Sequence, residues 1–382
     1  MIIHYNNLNK KYKWQYKFDS KIDSQNTLVL IFSQFSKQKI QPYINEIKDY
    51  FPQSIIMGCS TAGQIFEDKV IDSKILVTIV KFEKSLIAYH STEMTDTHES
   101  FDKGMELAKR FVHQSKLNNI LVLTKGLNIN GSQLIDGFNT VIEDSTLISG
   151  GLAGNDAKFK QTWVIDKNQK ANENCISTLG IFGDYIHTKS ASKGGWDMIG
   201  IDRYVTKSQD NILYEIDHKP ALEIYKEYLG EYAENLPASG LLFPLALIDG
   251  YDSTLNKVRT ILAVNHNDNS ITFAGDIPTG ALVRLMHANF DRLIDGAGFA
   301  AKSLASNTQI QDENCLCLSI SCVGRKLILG QRIDEEIETV KEYIPKNCIH
   351  TGFYSYGELS PLTNGICDLH NQTMTLTLLW ES

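Results

Sequence analysis

The sequence repeatedly places a short, apolar, strand-like run directly before a glycine-rich loop. The clearest apolar run is residues 27–32, and glycine-rich loops follow strand-like segments at residues 58–63 and 150–156. A continuous apolar run of this length is typical of a strand that is buried on both faces. Glycine after such a strand lets the backbone turn sharply or approach another segment closely. We therefore expect sheets whose strand ends carry the candidate functional loops.

Apolar residues at helical spacing separate several of these runs. Ile40, Ile44 and Ile47 predict a helix over residues 37–50, which Pro52 ends. Further helices are predicted at residues 100–114, 131–142, 221–229, 283–301 and 334–343. Strands and helices alternate in the first half before it becomes strand-rich. This order predicts an α/β fold of the mixed α+β kind, with mixed, largely antiparallel sheets flanked by helices.

The length of 382 residues is enough for about two domains. The pattern of elements restarts near Pro220, which predicts one domain over residues 25–220 and a second over residues 221–382. We see no repeat between the two halves. The sequence leaves the oligomeric state open.

Charge and cysteine usage restrict the partners and the compartment. The net charge of −8 is opposite to that of most proteins that bind nucleic acid backbones. Apolar runs reach only about ten residues, short of the roughly 20 that cross a membrane, and no signal peptide begins the chain. The seven cysteines are scattered, and no Cys or His pair has the spacing of a zinc site. These observations predict a cytoplasmic chain without a nucleic acid or membrane partner.

Two loops contain candidate nucleophiles. Residues 58–63 nearly match the turn that presents a catalytic serine, which makes Ser60 a candidate, but no helix is predicted directly after it. Cys322 stands three residues before Arg325, whose charge favours a low-pKa thiolate. A serine or cysteine hydrolase is therefore an alternative. The other interpretation of both loops is a tight turn that contacts a ligand or a neighbouring strand.

Four more residues beside turns are candidate ligand contacts. Asp156 ends the loop at 150–156, where it either caps the turn or borders a bound anion. Trp196 either forms a flat pocket wall or anchors a core. Arg284 suits a carboxylate or a surface ion pair, and Glu358 suits a ligand amine or a nearby arginine.

Taken together, these loops resemble the FIST family of sensory proteins. Segments 58–63 and 150–156 are similar to the first half of the family pattern. The second half is matched by residues 276–280, 321–325, 352–358 and 369–373. The resemblance covers about residues 25–380. It implies a sensor without catalysis that binds a small molecule such as an amino acid, through Ser60 and Thr61 as hydrogen-bond donors and Arg284 or Arg325 as the carboxylate partner.

Residues 194–197 and 283–295 are similar to the haem-binding, nitric-oxide-sensing members of the family. This likeness implies haem as a cofactor, and a histidine kinase or a cyclic-di-GMP enzyme as the partner that the sensor regulates. In those members a His commonly precedes the Trp by six residues, whereas Ser190 stands there in this chain. His187 and His370 are therefore the candidate axial ligands, although a lone His is more often a structural residue.

Overall fold

The computed structural model describes residues 1–71, 73–112, 116–155, 160–248, 257–306, 310 and 313–382. The helices are α1 (Lys37–Tyr50), α2 (Ser100–Lys109), α3 (Gly131–Asn139), α4 (Ala221–Leu229), α5 (Phe290–Ala305), α6 (Val323–Leu329) and α7 (Ile333–Tyr343). The strands are β1 (Ile2–Asn7), β2 (Thr27–Ser33), β3 (Ile55–Ser60), β4 (Gln64–Phe66), β5 (Lys69–Ile71), β6 (Ile75–Lys81), β7 (Leu86–Glu93), β8 (Leu117–Thr124), β9 (Leu147–Leu152), β10 (Val164–Ile165), β11 (Ala171–Asn172), β12 (Cys175–Phe182), β13 (Ile186–Lys193), β14 (Asp197–Gln209), β15 (Ile212–Ile216), β16 (Lys219–Pro220), β17 (Leu245–Ile248), β18 (Lys257–Arg259), β19 (Ile261–Asn265), β20 (Ser270–Phe273), β21 (Leu282–His287), β22 (Cys315–Cys322), β23 (Cys348–Ser355), β24 (Gly357–Pro361), β25 (Cys367–His370) and β26 (Met374–Glu381).

Three six-stranded sheets share one plan. Their strand orders are β1-β6-β2-β3-β10-β11, β7-β12-β8-β9-β24-β25 and β13-β26-β22-β23-β4-β5. In each sheet the two central strands are parallel, as β2 is to β3, β8 to β9 and β22 to β23. The other pairings are antiparallel. The predicted fold class, with mixed and largely antiparallel sheets flanked by helices, is confirmed.

The shared plan is an internal repeat that occurs three times in the backbone. Each repeat contains a strand, a helical connection, a parallel strand, a hairpin and a returning antiparallel strand. In each repeat the hairpin pairs with the sheet of another repeat. Hairpin β4-β5 joins the third sheet, β10-β11 joins the first and β24-β25 joins the second. The sequence shows no repeat between its halves because the unit recurs three times and its side chains differ.

A glycine marks the same register position in each repeat. Gly58, Gly150 and Gly352 lie on the second parallel strand, opposite a residue of the first. A Cβ atom added there would lie 2.1, 1.9 and 1.9 Å, respectively, from the carbonyl oxygen of that opposite residue. Only a residue without a side chain permits this approach. In each of the three sheets, the two parallel strands therefore approach each other closely at this glycine.

One buried core lies among the three sheets. Phe32, Leu123 and Phe353 come from different sheets and belong to one buried cluster, in which the rings of Phe32 and Phe353 are 4.7 Å apart. Helices α2, α3, α5 and α7 cover the second and third sheets, and α1 covers the first. Within the described residues, no helix is both long and apolar enough to cross a membrane.

Residues 197–287 form an inserted module in the third repeat, between β13 and α5. Among the described residues of the module, eight strands make one sheet, and the buried cluster contains no residue from outside the module. The module begins and ends at one place, because Asp197 pairs with His287. The division into two domains at residues 220 and 221 stays a prediction. The predicted boundary falls inside this module. The helix predicted over 283–301 is partly wrong: β21 occupies its first residues, and α5 starts at Phe290.

Candidate ligand pocket at the meeting point of the three repeats

The strand ends of the three repeats meet in a ring of backbone hydrogen bonds. After each second parallel strand, one N–H group donates to a carbonyl oxygen of another repeat. These bonds run from Ala62 N to Tyr354 O (2.8 Å), from Gly154 N to Ser60 O (2.9 Å) and from Tyr356 N to Leu152 O (3.3 Å). Three of the glycine-rich segments singled out in the sequence, at residues 58–63, 150–155 and 352–358, therefore converge.

A pocket of about 550 Å³ opens beside this ring, and we call it the junction pocket. Its lining residues are Tyr12, Gln34, Phe35, Ser36, Lys39, Thr61, Ala62, Lys74, Asn155, Val323, Lys326 and Leu327. They come from all three repeats, since the first supplies most of the wall, the second supplies Asn155 and the third supplies the start of α6. The volume is in the range of pockets that hold small molecules.

Three lysines line the junction pocket, and none of its described lining residues is a carboxylate. The Lys326 ammonium donates to the carbonyl oxygen of Ala62 at 2.6 Å. The Lys74 ammonium donates to the side-chain oxygen of Gln34 at 2.8 Å. Both of these acceptors are neutral oxygens of the protein. The described lining is therefore rich in lysine side chains.

Lys39 and the first turn of α1 form another side of the pocket. The Lys39 ammonium lies 4.9 Å from the ring centre of Tyr12 and 4.3 Å from that of Phe35. Such cation–π contacts hold an ammonium over an aromatic face. Ser36, the residue before α1, lines the pocket, and its hydroxyl makes no capping hydrogen bond to the helix. The positive end of the helix dipole therefore lies at the pocket wall.

Ser60 and Thr61 lie at the ring, but only Thr61 lines the pocket. The Ser60 hydroxyl is buried and accepts a hydrogen bond from the backbone N–H of Trp163 at 3.0 Å. The Thr61 hydroxyl donates to the side-chain oxygen of Gln64 at 3.0 Å, and the nitrogen of that amide donates to Ser73 O at 2.9 Å. Ser60 therefore secures the backbone, whereas Thr61 forms the floor of the pocket.

Arg325 is fully buried, and its guanidinium holds several elements together. It donates to Glu336 Oε1 at 2.7 Å and to the carbonyl oxygens of Gly194 at 2.5 Å, Leu293 at 2.7 Å and Gln372 at 3.2 Å. Neither Arg325 nor Glu336 has solvent exposure. The nitrogens of Arg325 are thus used by the protein itself, and the next residue, Lys326, faces the junction pocket.

Trp196 lies beside this buried cluster. Its indole N–H donates to the carbonyl oxygen of Gln372 at 2.9 Å, the same oxygen that Arg325 contacts. Its ring packs near Leu293 and Leu329. Trp196 therefore anchors the segment that leads into the inserted module.

Glu358 is buried next to the same cluster. Its Oε1 accepts from the Ser355 hydroxyl at 2.8 Å, and its Oε2 accepts from the Thr373 N–H at 3.2 Å. Loss of solvation raises its pKa to about 8, although these two bonds and Arg325 favour the charged form. Glu358 is thus mostly protonated at neutral pH.

Cys322 does not have the low-pKa thiol that the sequence suggested. Burial is the largest influence and raises its pKa well above the usual value, and Glu358 adds to the effect. Nearby Arg325 lowers it only in part. That prediction is wrong, because a neighbouring positive charge cannot offset complete removal from water. The geometry of Ser60 and Cys322 therefore does not favour the hydrolase alternative.

Two predicted site residues lie elsewhere or outside the described residues. Arg284 is on β21 in the inserted module, and its Nε donates to Asp202 Oδ1 at 2.7 Å in a partly exposed ion pair. It is not among the residues that line the junction pocket. Asp156 lies outside the residues that the structure describes.

The two histidines proposed for haem each have Nε2 beside a protein oxygen. His370 is buried, which lowers its pKa, and its Nε2 lies 2.9 Å from Ser360 O. His187 Nε2 lies 2.8 Å from the Ser382 hydroxyl, and its ring stacks on Trp380. A histidine whose one ring nitrogen bonds a protein oxygen can ligate a metal through the other nitrogen, so His187 and His370 stay predicted axial ligands. Haem itself stays a prediction.

The sequence interpretation missed the lysines of the junction pocket. Lys326 directly follows Arg325, so its place at a predicted strand end was a usable signal. Lys39 and Lys74 carried no such signal, because single lysines on a helix or beside a turn are ordinary surface residues. Only the convergence of the repeats brings the three charges together.

Comparison with known proteins identifies similar chains over nearly the whole length. The FIST N domain model matches residues 27–219, and the FIST C domain model matches residues 221–361. An uncharacterised protein of Methanocaldococcus jannaschii is 24% identical over 399 residues, which cover 93% of this chain and 73% of that protein. The solved structure of a cyanuric acid hydrolase from A. caulinodans matches 93% of this chain and 89% of its own, with 6% identity and a TM-score of 0.33.

The last of these findings corrects one prediction. The expectation of a chain without catalysis no longer stands, because a solved structure that matches most of the chain is that of a hydrolase. With a TM-score of 0.33 and 6% identity, the match assigns no reaction or substrate to this chain.

Proposed function

The chain belongs to the FIST family, whose domains are sensory domains of signalling proteins, and from this we propose that it senses a small molecule bound in the junction pocket. The observation that carries the proposal is that all three repeats line this one pocket. A ligand there touches Thr61, Asn155 and α6 at the same time. Its binding energy therefore depends on how the three repeats sit against one another.

A sensor needs a path from its ligand to another part of the molecule. The proposed path begins at Lys326, which faces the pocket, and continues through Arg325, its neighbour on α6. Arg325 binds Gly194 O and Leu293 O, which lie just before and just after the inserted module. A ligand that binds one position of α6 more tightly would shift the population of that position. The module would then move with its two attachment points.

The partner in this proposal is a separate signalling enzyme, either a histidine kinase or a cyclic-di-GMP enzyme. Ligand binding and partner binding must be coupled equally in both directions, because coupling free energies are reciprocal. A ligand that stabilises the protein should therefore change its affinity for the partner. An unchanged affinity at saturating ligand would contradict regulation through this partner.

The pocket can be tested by blocking it from its rim. Leu327 lines the pocket and is 44% exposed, so Leu327→Trp fills space without disturbing the core. In a thermal-shift screen of small metabolites, a ligand at 100 times its Kd should stabilise the native chain by about 2.7 kcal/mol. The Leu327→Trp variant should lose this shift, and Leu86→Trp, at a position 63% exposed outside the pocket, should keep it. Equal shifts in both variants would refute the proposed site.

Haem, with nitric oxide as its gaseous ligand, is tested separately. The protein is purified from haem-supplied cells, reconstituted with haem and examined by absorption spectroscopy. A Soret band that disappears in a His187→Ala or His370→Ala variant would support the prediction and name the ligand. Absence of the band after reconstitution would contradict it.

A further inference from the structure

The inserted module carries most of the negative charge of the chain. Residues 197–287 contain 13 aspartates and glutamates against seven lysines and arginines, so the module accounts for −6 of the net charge of −8. Glu223, Glu227, Glu231 and Glu234 follow one another on α4 and in the 3-10 turn after it, and all four are exposed. The module therefore attracts positively charged partners and repels nucleic acids and other acidic surfaces.

A bulge in β14 turns Ile201 outward. The register of β14 against β21 shifts between Ile199 and Arg203, so that three residues of β14 stand opposite one residue of β21. Gly200, with a φ of +75°, permits this bend. Bulges commonly redirect a side chain, and here Ile201 is 65% exposed. The bulge thus presents an isoleucine on the surface of the module.

Ile201 borders a narrow apolar cleft between β14 and α4. The buried side chain of Leu285 lines this cleft, and Tyr228 lies on its α4 side. A Cβ atom added to Gly200 would lie 3.3 Å from the Tyr228 ring, so the two sides of the cleft are close together. Exposed apolar surface with a charged rim is typical of a docking site. We use the name module patch for the exposed apolar residues at this cleft, which are Ile199, Ile201 and Tyr228.

The rim of the cleft is negative on the α4 side. Arg203 lines the cleft, but its Nη1 donates to Asp217 Oδ2 at 2.8 Å and its Nε donates to the Tyr228 hydroxyl at 2.8 Å. Its charge is therefore matched within the module. Glu227 and Glu231 lie on either side of Tyr228 in the chain, and both are exposed. A partner that covers the module patch therefore meets carboxylates at its edge.

Charge argues against a second copy of this chain as the occupant. In a symmetric dimer the same surface meets itself, so Glu227 and Glu231 of both copies would come together around the apolar contact. Like charges that face each other across an interface cost free energy. Addition of a strand is also disfavoured, because the bulge interrupts the regular backbone of β14 at this point.

A basic amphipathic helix meets both conditions of the site. Apolar side chains on one face of a helix can enter a cleft of this kind. Lysine or arginine beside them would reach the glutamates of the rim, and such cations also bind the face of a tyrosine ring.

We propose that the module patch docks a basic amphipathic helix of a partner protein. This inference goes beyond the proposed function, because it requires no ligand in the junction pocket. The patch lies on the module whose two attachment points, Gly194 and Leu293, are bound by Arg325. A shift of the module would therefore also move the docking surface.

The test uses three synthetic helical peptides of about 18 residues, whose binding is measured by fluorescence anisotropy. The first peptide has leucine on one face and lysine on the other. The second keeps the leucines and has glutamate in place of lysine, and the third keeps the lysines and has glutamine in place of leucine. The first peptide should bind at least about tenfold more tightly than either comparator, and its affinity should fall as salt is added.

A variant of the bulge locates the apolar contact. Ile201→Ser should raise the Kd of the leucine–lysine peptide by about tenfold, because one buried isoleucine side chain is lost from the interface. Leu86→Ser, at a position 63% exposed on β7, is the matched control and should leave the Kd unchanged.

A pair of charge variants tests the rim. Glu227→Gln combined with Glu231→Gln removes two exposed carboxylates four residues apart and should raise the Kd of the same peptide by about fivefold at low salt. Glu338→Gln combined with Glu342→Gln removes an exposed pair at the same spacing on α7 and should leave the Kd unchanged.

Several results would overturn the inference. They are equal binding of the leucine–lysine peptide and either comparator, no binding of any peptide, and equal effects of the patch variants and their controls. Sedimentation velocity tests the second copy: a native dimer that Ile201→Ser converts to a monomer would show that another copy covers the patch, which would also overturn the inference. Each of these results leaves the junction pocket standing, because its own test is the response of the Leu327→Trp variant to small molecules.

Discussion

Single buried polar residues near the junction pocket determine much of how this protein responds to its surroundings. Arg325, Glu336 and Glu358 are fully buried, and each has hydrogen-bond partners in the protein. Burial of such groups costs free energy that only their partners offset. Their contributions to stability can therefore be tested one residue at a time.

The pH dependence of stability should reveal Glu358. Its pKa is about 8 in the folded protein and near 4.3 in an unfolded chain, so the folded state binds more protons between these values. The free energy of unfolding should therefore fall as pH rises from about 4.5 to 8. Urea denaturation at several pH values should show Glu358→Gln becoming more stable relative to the native chain as pH rises across this window. The difference in the free energy of unfolding should grow by up to about 1.4 kcal/mol per pH unit.

Glu338 supplies the control, because it is exposed on α7. A Glu338→Gln variant should follow the native protein at every pH. If the free energies of unfolding of Glu358→Gln and of the native chain also change in parallel with pH, Glu358 is not protonated in the folded state.

The buried ion pair of Arg325 and Glu336 predicts a large loss on truncation of one partner. Arg325→Met leaves Glu336 charged and without its cation, so the free energy of unfolding should fall by about 3–5 kcal/mol. Arg332→Met removes one partner of an exposed pair with Glu335 and should leave the free energy of unfolding nearly unchanged. Denaturant titration of both variants compares them directly. A loss below about 1 kcal/mol for Arg325→Met would contradict the role of Arg325 in holding several elements together.

At the scale of elements, the repeated strand–helix–strand unit sets the position of the pocket. The parallel strands place their carboxyl ends at one edge of each sheet, and the exchanged hairpins tie each edge to another repeat. Loops at the carboxyl ends of parallel strands commonly form ligand sites. Here three such edges meet, which explains why one pocket receives residues from all of them.

The shared glycine position predicts which substitutions break a repeat. Gly352→Ala would place a Cβ atom 1.9 Å from Ser319 O, so the two parallel strands must separate and the chain should lose well over about 2 kcal/mol of stability. At Gly365 an added Cβ meets nothing within 4 Å, and its φ of +87° is the only obstacle. Gly365→Ala should cost about 1–2 kcal/mol. Thermal denaturation of the two variants measures the difference, and equal losses would show that the close approach is unimportant.

At the scale of the whole molecule, the inserted module and the three-repeat body have separate cores. Cluster residues of the module lie within 205–285, whereas the cluster among the three sheets draws on both ends of the chain. The body therefore needs strands from the beginning and the end of the sequence. The buried cluster of the module draws only on residues of the module.

This division predicts the result of removing the module. Met198 lies directly opposite Met286 in the β14–β21 pair, so residues 199–285 can be replaced by Asn-Gly as a two-residue hairpin turn. The shortened chain should keep one cooperative unfolding transition in urea. A chain ending at residue 220 should have none, because its sheets lack β22, β23, β24 and β26. Cooperative unfolding of the second chain alone would contradict the architecture.

Local patterns account for what could be predicted. The helix over residues 37–50 and the strand at 27–32 follow from spacing and apolarity within a few residues. The helix predicted at 283–301 failed at its start because β21 and α5 are both apolar and adjoin, with only Ala288 and Asn289 between them. Cys322 was misjudged because its burial depends on strands that are distant in sequence.

The sequence by itself determined the mixed fold class, the glycine-rich strand ends and the family, since all are carried by residue types at short or ordered spacings. Tertiary structure alone decided that the three strand ends form one hydrogen-bonded ring, that Arg325 is used internally and that Lys39, Lys74 and Lys326 share a pocket. The physical reason is distance along the chain. The ring joins residues 62 and 354, and no local pattern records which strand ends will meet when sheets exchange their hairpins.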